Sequence, residues 1–265
     1  MNYWRDKVVV ITGGSAGLGL ALAKQSHRQG ARVVLVARDE QRLQKAVAEI
    51  GGAAEVRAIP TDVTDQQQVD ALFARIDDEL GGIDMLINCA GKSVRGEIVD
   101  TTPADFRDLI ELNFLALVRC TRAALPQLRR TRGHLVHIGS LASKSAARFL
   151  GAYLASKFPV AAYAQQLRLE IGSEGVHVLL VCPGPLARVD AGSRYADTAV
   201  PHSAQQPGGG VRLKGIDPAW LSKRILRACE RRKAELIVPA RARILFALSQ
   251  LSPRLGDWIL RRMTT

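Results

Sequence analysis

The stretch "KVVVITGGSAGLGLALAKQSHRQG", residues 7–30, carries the reading of the fold. Its first part, KVVVIT, is dominated by β-branched apolar residues without alternation, as in a strand buried on both faces. A glycine-rich turn follows, and then GLALAKQSHRQG with helical character. Glycines let a backbone approach a bulky anion, and the first turn of the next helix offers unpaired N–H groups and the positive end of its dipole. A strand, such a turn and a helix in that order make a cradle for a pyrophosphate. Taken without its flanks, the same turn reads as a tight strand–helix connection. The candidate contacts in it are Thr12, Gly13, Ser15, Gly17, Leu18 and Gly19.

Outward from this stretch the same alternation recurs. ARVVLVAR (31–38), AEVRAIPTDV (54–63), IDMLINCAG (83–91), GHLVHIGS (133–140), GVHVLLVCPG (175–184) and ELIVPA (235–240) read as strands. Helical runs separate them, including 39–50, 64–80, 102–130, about 152–172 and about 218–232. Thr102 and Pro103 suit the cap and first position of the long 102–130 helix. Repeated strand–helix units with apolar strands imply a parallel sheet covered on both faces, and right-handed crossovers make it doubly wound. The expectation is an α/β Rossmann fold of about seven strands with a C-terminal helical extension. One catalytic domain is expected over 1–239, interrupted by an irregular loop at 184–216, with a basic amphipathic tail over 240–265.

Composition agrees with one large α/β domain: 265 residues, 47% of them hydrophobic. No apolar run is long enough to cross a membrane, and the N-terminal residues lack the pattern of a secretion signal, so a cytoplasmic protein is expected. The scattered Cys89, Cys120, Cys182 and Cys229 read as reduced buried thiols, with no metal site among them. The formal charge of +12 is compatible with an anionic cofactor, an anionic membrane or nucleic acid. No nucleic-acid motif accompanies it, so no nucleic-acid partner is expected.

The turn has the spacing TGxxxGxG, and there the chain resembles the short-chain dehydrogenase/reductase family over most of 5–185. The resemblance implies a nicotinamide dinucleotide cofactor and an oxidoreductase interconverting a ketone or aldehyde and an alcohol. At the end of strand two, where an acid would bond the ribose of NAD, stand Ala37 and Arg38. A guanidinium matches a 2′-phosphate, which points to NADP(H). The resemblance also implies that Asp62 and Val63 border the adenine, and that Asn88, Ala90 and Gly91 of NCAG shape the cofactor floor. Pro183 and Gly184 carry over in the same way, whereas Arg188 stands where the family often has a threonine.

Carbonyl reduction needs a hydride on carbon and a proton on oxygen; the protein must supply the proton and hold the carbonyl. Tyr153 and Lys157 lie one helical turn apart, so the ammonium can favour the phenolate and also hold the nicotinamide ribose. Ser140, at the end of strand five, can donate to the carbonyl oxygen. Asn113 sits inside the long helix, a poor place for asparagine. In order and spacing these match the family's Asn–Ser–Tyr–Lys tetrad, which implies a proton relay through Asn113. Each residue alone has a plain structural reading; together with the glycine loop they do not. Pro159, two residues after Lys157, should kink the helix locally.

The 184–216 loop contains Leu186, Val189, Tyr195 and Val200 and is read as an apolar lid. The tail has apolar residues at helical spacing flanked by arginines, which suits either packing over the lid or a subunit, or peripheral contact with an anionic membrane. LVARDEQRL, YLASKF and the tail are similar to 3-ketodihydrosphingosine reductase-like, membrane-associated reductases, which implies a hydrophobic or lipid-like carbonyl substrate. A homodimer or homotetramer is expected. The rival reading is a catalytically silent NADP-binding sensor or scaffold of the same fold.

Overall fold

The computed structural model describes residues 2–52, 55–187, 195, 200–205 and 214–263, with only the backbone of 202 and 203. Arg188 and Val189 lie outside these residues, as does most of the 184–216 loop. Seven strands, β1 (Val8–Thr12), β2 (Arg32–Ala37), β3 (Val56–Pro60), β4 (Met85–Asn88), β5 (His134–Ile138), β6 (His177–Pro183) and β7 (Glu235–Val238), form one sheet. Every neighbouring pair is parallel, in the order β3-β2-β1-β4-β5-β6-β7. The order reverses between β1 and β4, where a doubly wound sheet opens a crevice at its carboxyl edge.

The helices are α1 (Gly17–Arg28), α2 (Glu40–Ile50), α3 (Gln66–Leu80), α4 (Pro103–Ile110), α5 (Ala116–Thr131), α6 (Tyr153–Ile171), α7 (His202–Gln205), α8 (Pro218–Glu230), α9 (Ala242–Leu251) and α10 (Pro253–Met263). Strand side chains alternate between two cores. Val8 and Val10 face Phe73 of α3, Leu128 of α5 and Val160 of α6. Val9 and Ile11 face Leu22 of α1, Leu43 of α2 and Ile225 of α8. The strands are mostly apolar because the sheet has a core on both sides; Arg57, on the edge strand β3, is only partly buried.

The long helix expected over 102–130 is present with one local change. Thr102 and Asp105 form a reciprocal cap at its start, with Pro103 in the first position. A π-helical turn, Glu111–Leu115, then joins α4 to α5, and the Ala116 amide bonds back five residues to the Glu111 carbonyl. Asn113 lies in this turn. Helix α6 runs through Pro159 without interruption.

At the opposite edge of the sheet, the starts of β5 and β6 bring His134 and His177 together. The His177 Nε2 lies 2.8 Å from the Lys233 carbonyl oxygen, which can only accept, so that nitrogen carries its proton. The bare Nδ1 then accepts from His134 Nδ1, 2.9 Å away, and His134 Nε2 accepts from the Tyr3 hydroxyl at 2.7 Å. This chain of bonds fixes both rings as neutral tautomers and ties the N-terminal segment to the sheet. Burial pulls His134 and His137 from 6.5 down to about 3 and lowers His177 as well.

These shifts set an acid limit. A histidine whose pKa is depressed in the folded state stabilises the protein fully above its unfolded value, and that stability is lost as pH falls from there toward the folded value. Each group pulled to about 3 takes away up to ~1.4 kcal/mol per pH unit, so His134 and His137 together take up to roughly 3 kcal/mol per unit as pH falls well below 6.5, and His177 adds in the same direction. Urea unfolding monitored by circular dichroism should therefore show a midpoint that drops steeply between about pH 7 and about pH 5, before carboxylates titrate. Equal midpoints at the two pH values contradict this account.

Candidate active site

The ends of β1 and β4 meet at the crevice. Gly13 has φ +68°, and a Cβ there would stand 2.9 Å from the backbone of Ala90. Its amide bonds the Val36 carbonyl at 2.8 Å, holding the turn against β2. Thr12 turns its hydroxyl across to β4, accepting from the amides of Cys89 at 3.1 Å and Ala90 at 3.2 Å. A Cβ on Gly19 would lie 2.1 Å from the Gly13 carbonyl oxygen, so α1 starts directly on the turn. Gly17, at φ +54°, has no atom within 4 Å of where its Cβ would be. Ser15, Gly17, Leu18 and Gly19 face a cavity of about 890 Å³.

The start of α1 differs from those of α2, α3, α4 and α8. In those helices Asp39, Asp65, Thr102 and Asp217 accept from first-turn amides. At α1 the capping position is Ala16, without a side-chain acceptor and without an acid in the first turn. Donors that those four helices satisfy internally are left at α1 for an anion in the cavity. The residues present thus fit the pyrophosphate of a dinucleotide.

At the far end of the same cavity, after β2, Arg38 is 70% exposed and lies 3.9 Å from the Asp62 carboxylate. Asp39 is not available to a ribose, because its carboxylate caps α2 through the Arg42 amide at 3.0 Å and pairs with the Arg42 side chain. Burial pushes the Asp62 carboxyl up, but hydrogen bonds from Thr64 and the charge of Arg38 outweigh it, and the net shift is downward. Asp62 shapes the turn, while the buried Val63 is on the cavity wall.

Ser140, Tyr153 and Lys157 share the opposite wall. Ser140 follows β5 and caps a short 3₁₀ turn, its hydroxyl accepting from the Ala142 amide at 3.1 Å. Tyr153 opens α6, and Lys157 stands one turn on, its ammonium donating to the Ile138 carbonyl at 3.0 Å. Burial pulls Lys157 down to about 8. Burial also raises the Tyr153 phenol, against the opposing effects of its hydrogen bond with Ser140 and the charge of Arg95. Arg95, not Lys157, is therefore the leading cation acting on the phenol in the protein alone.

Asn113 stands behind this wall. Its Oδ1 accepts from the Lys92 amide and its Nδ2 donates to the Lys92 carbonyl, both at 2.9 Å. The same Nδ2 reaches Ser156 Oγ at 2.8 Å, and that hydroxyl donates to the Tyr153 carbonyl at 2.7 Å. Asn113 thus ties the chain after β4 to the first turn of α6. Gly91 keeps this junction open: a Cβ would come 2.7 Å from Asn113 Oδ1. Asn88 is also behind the wall, donating to Thr121 at 3.1 Å and lying 3.3 Å from His137, and it does not face the cavity. Ala90, Gly91, Pro183 and Gly184 do face it.

Sequence reasoning missed two parts of the site. Arg95, after β4, stacks on the Tyr195 ring at 4.1 Å and donates to the Ala204 carbonyl at 3.0 Å, while Ser93 bonds the Tyr195 hydroxyl. The tail supplies a wall of its own, with Leu245, Leu248, Ile259, Leu260 and Met263 on the cavity. Of the lid residues, Leu186 and Tyr195 reach the cavity and Val200 is buried. Among the described residues one grouping has the makings of a metal site, His134, His177 and Cys229, and it lies at the other edge of the sheet with its ring nitrogens bonded as above.

The chain is similar to known proteins in sequence and in fold. Residues 7–198 match the family described as short chain dehydrogenase. A dehydrogenase/reductase SDR family member 7B from Danio rerio is 35% identical over 244 residues, spanning 88% of this chain and 77% of that protein. A ketoacyl reductase, HetN, from Nostoc is 32% identical over 272 residues, spanning 98% of this chain and 90% of the relative. A short-chain dehydrogenase from Streptomyces avermitilis superposes with a TM-score of 0.80 at 29% identity, covering 96% of each chain. A glycine turn at the switch point, a serine, tyrosine and lysine across the cavity from it, and a family match over most of the chain agree: this is a member of the short-chain dehydrogenase/reductase family, oxidoreductases that use a nicotinamide cofactor.

Proposed function

We propose that the protein is an NADP(H)-dependent reductase of a hydrophobic ketone or aldehyde, working by hydride transfer with Tyr153 as the proton donor. The observation that carries this reading is one cavity with Arg38 and the glycine turn at one end and Ser140, Tyr153 and Lys157 at the other. Bound NADPH supplies the hydride. Gly13, Gly17 and the uncapped start of α1 hold its pyrophosphate, and Arg38 its 2′-phosphate. Ser140 donates to the carbonyl oxygen as negative charge grows there, and Tyr153 delivers the proton to that oxygen. Lys157 favours the phenolate left behind, and Asn113 keeps the first turn of α6 in register with the chain after β4.

Tyr153 is protonated at neutral pH and so enters the reducing direction as the donor, while burial disfavours its phenolate and leaves that charge for Lys157 to stabilise. The apolar tail wall supports a hydrophobic substrate, as does the likeness to a protein named as a ketoacyl reductase. Exposed Leu115, Phe158 and Leu169 on the outer faces of the α5 and α6 region support a homodimer or homotetramer.

Three outcomes are expected. Arg38→Ala should weaken NADPH binding by about 10–100-fold, the worth of a charge-assisted hydrogen bond, and leave NADH unchanged. Fluorescence titration measures this, and equal wild-type affinities for the two cofactors contradict the assignment. Tyr153→Phe should lower kcat by roughly 10²–10⁴-fold with NADPH affinity retained, read from NADPH absorbance over a ketone panel. For wild-type reduction, kcat/KM should fall as pH rises through about 8, where Lys157 loses its proton. A profile flat through that pH removes the ammonium from the mechanism.

A further inference from the structure

The α9–α10 hairpin has two apolar sides. Its inner side forms the cavity wall already described, and Ala242 and Phe246 pack on the core. The two helices are pressed together at Gly256, where a Cβ would lie 2.6 Å from Ser249 Oγ. Its outer side is not covered by any of the described residues. Ile244 is 65% exposed and Leu251, seven residues on and so on the same helical face, is 84% exposed. On α10 Leu255 is 40% and Trp258, one turn later, 52% exposed. These four are large apolar groups in contact with water, on a hairpin that already has its core contacts.

Charge surrounds them. The tail carries Arg241, Arg243, Arg254, Arg261 and Arg262 against a single acid, Asp257, and all six are exposed. Arg262 lies over the Trp258 ring at 4.2 Å, so a cation and an indole share one patch. Leucine and tryptophan beside arginine is the composition of a helix lying in a membrane interface, with the rings at the headgroup boundary and cations on anionic headgroups. Among the described residues no helix is long and apolar enough to cross a membrane, so such contact is with the surface.

We propose that the outer face of the α9–α10 hairpin docks on an anionic lipid bilayer and holds the cavity mouth against it. Ile244 belongs to both faces, being exposed and on the cavity, so the bilayer surface and the apolar wall are continuous. A hydrophobic carbonyl compound then passes from the lipid to the site without crossing water. The benefit to turnover rests on the proposed reaction, whereas the docking itself needs neither cofactor nor chemistry.

Co-sedimentation of the full chain with phosphatidylcholine vesicles, with and without phosphatidylserine, tests the docking. The wild type should bind the phosphatidylserine vesicles, more weakly at high salt. The double variant Leu251→Glu, Trp258→Glu should bind at least about tenfold more weakly. Neither residue lines the cavity, so its NADPH affinity and melting temperature should match the wild type and show that the fold is kept. Arg254→Glu with Arg261→Glu should remove the preference for phosphatidylserine. Absence of wild-type binding overturns the proposal, as does binding that survives both double variants. If the apolar variant instead lowers the oligomeric state and no vesicle is bound, the face is a contact between copies. Vesicle binding without reduction of any ketone leaves the docking standing and removes the reaction; reduction without binding does the reverse.

Discussion

The site depends on how closely the ends of β1 and β4 approach each other. Gly13 rests against the backbone of Ala90 with no room for a side chain, and the Thr12 hydroxyl accepts from two amides of the β4 end. That contact closes the bottom of the crevice at the point where the strand order reverses. It fixes the glycine turn, hence the start of α1, and it fixes the chain that leads through Gly91 to Lys92. A side chain at position 13 would collide with the end of β4, and one at position 19 would collide with the Gly13 carbonyl, so each partner of the turn needs its glycine.

From Lys92 the constraint passes to the acid–base wall. Asn113 takes both backbone groups of Lys92 and hands its remaining donor to Ser156, which bonds the Tyr153 carbonyl. An α-helical ladder would carry position 113 along the regular helical face; the π turn at Glu111–Leu115 adds a residue to one turn and leaves Asn113 buried and inward. A helix defect, a glycine junction and a side-chain amide therefore join the cofactor floor to the first turn of α6. Burial then acts on the two titratable groups in opposite senses, raising the tyrosine and lowering the lysine, and so disfavours the charged form of each.

Much of the fold was legible because both faces of the sheet are covered. The strands are mostly apolar, with Arg57 of the edge strand β3 and His137 of β5 among the exceptions, and Thr102 with Pro103 marks a helix start that the structure uses. Residues of the site at strand ends or one helical turn apart were also legible, because their spacing follows directly from local geometry. What escaped depends on distant pairing. Arg95 meets Tyr195 across a hundred residues of chain, and nothing in the local pattern of either indicates it. The bond between His134 and His177 exists because β5 and β6 pair in the register that puts these residues side by side. Amphipathic spacing in the tail gave its helices, but not that one side would wall the cavity. The burial of Tyr153 and Lys157, which raises one pKa and lowers the other, is not contained in a residue list.

The account's central claim is hydride transfer within the cavity, with the proton coming from Tyr153. Its most direct measurement is a turnover with NADPH deuterated at the transferable C4 position, followed by mass spectrometry of the alcohol. The account predicts one deuterium bound to the carbinol carbon, and, with Tyr153→Phe under the same conditions, almost no labelled alcohol. Alcohol formed without deuterium at that carbon, or labelled equally well by the variant, would contradict it.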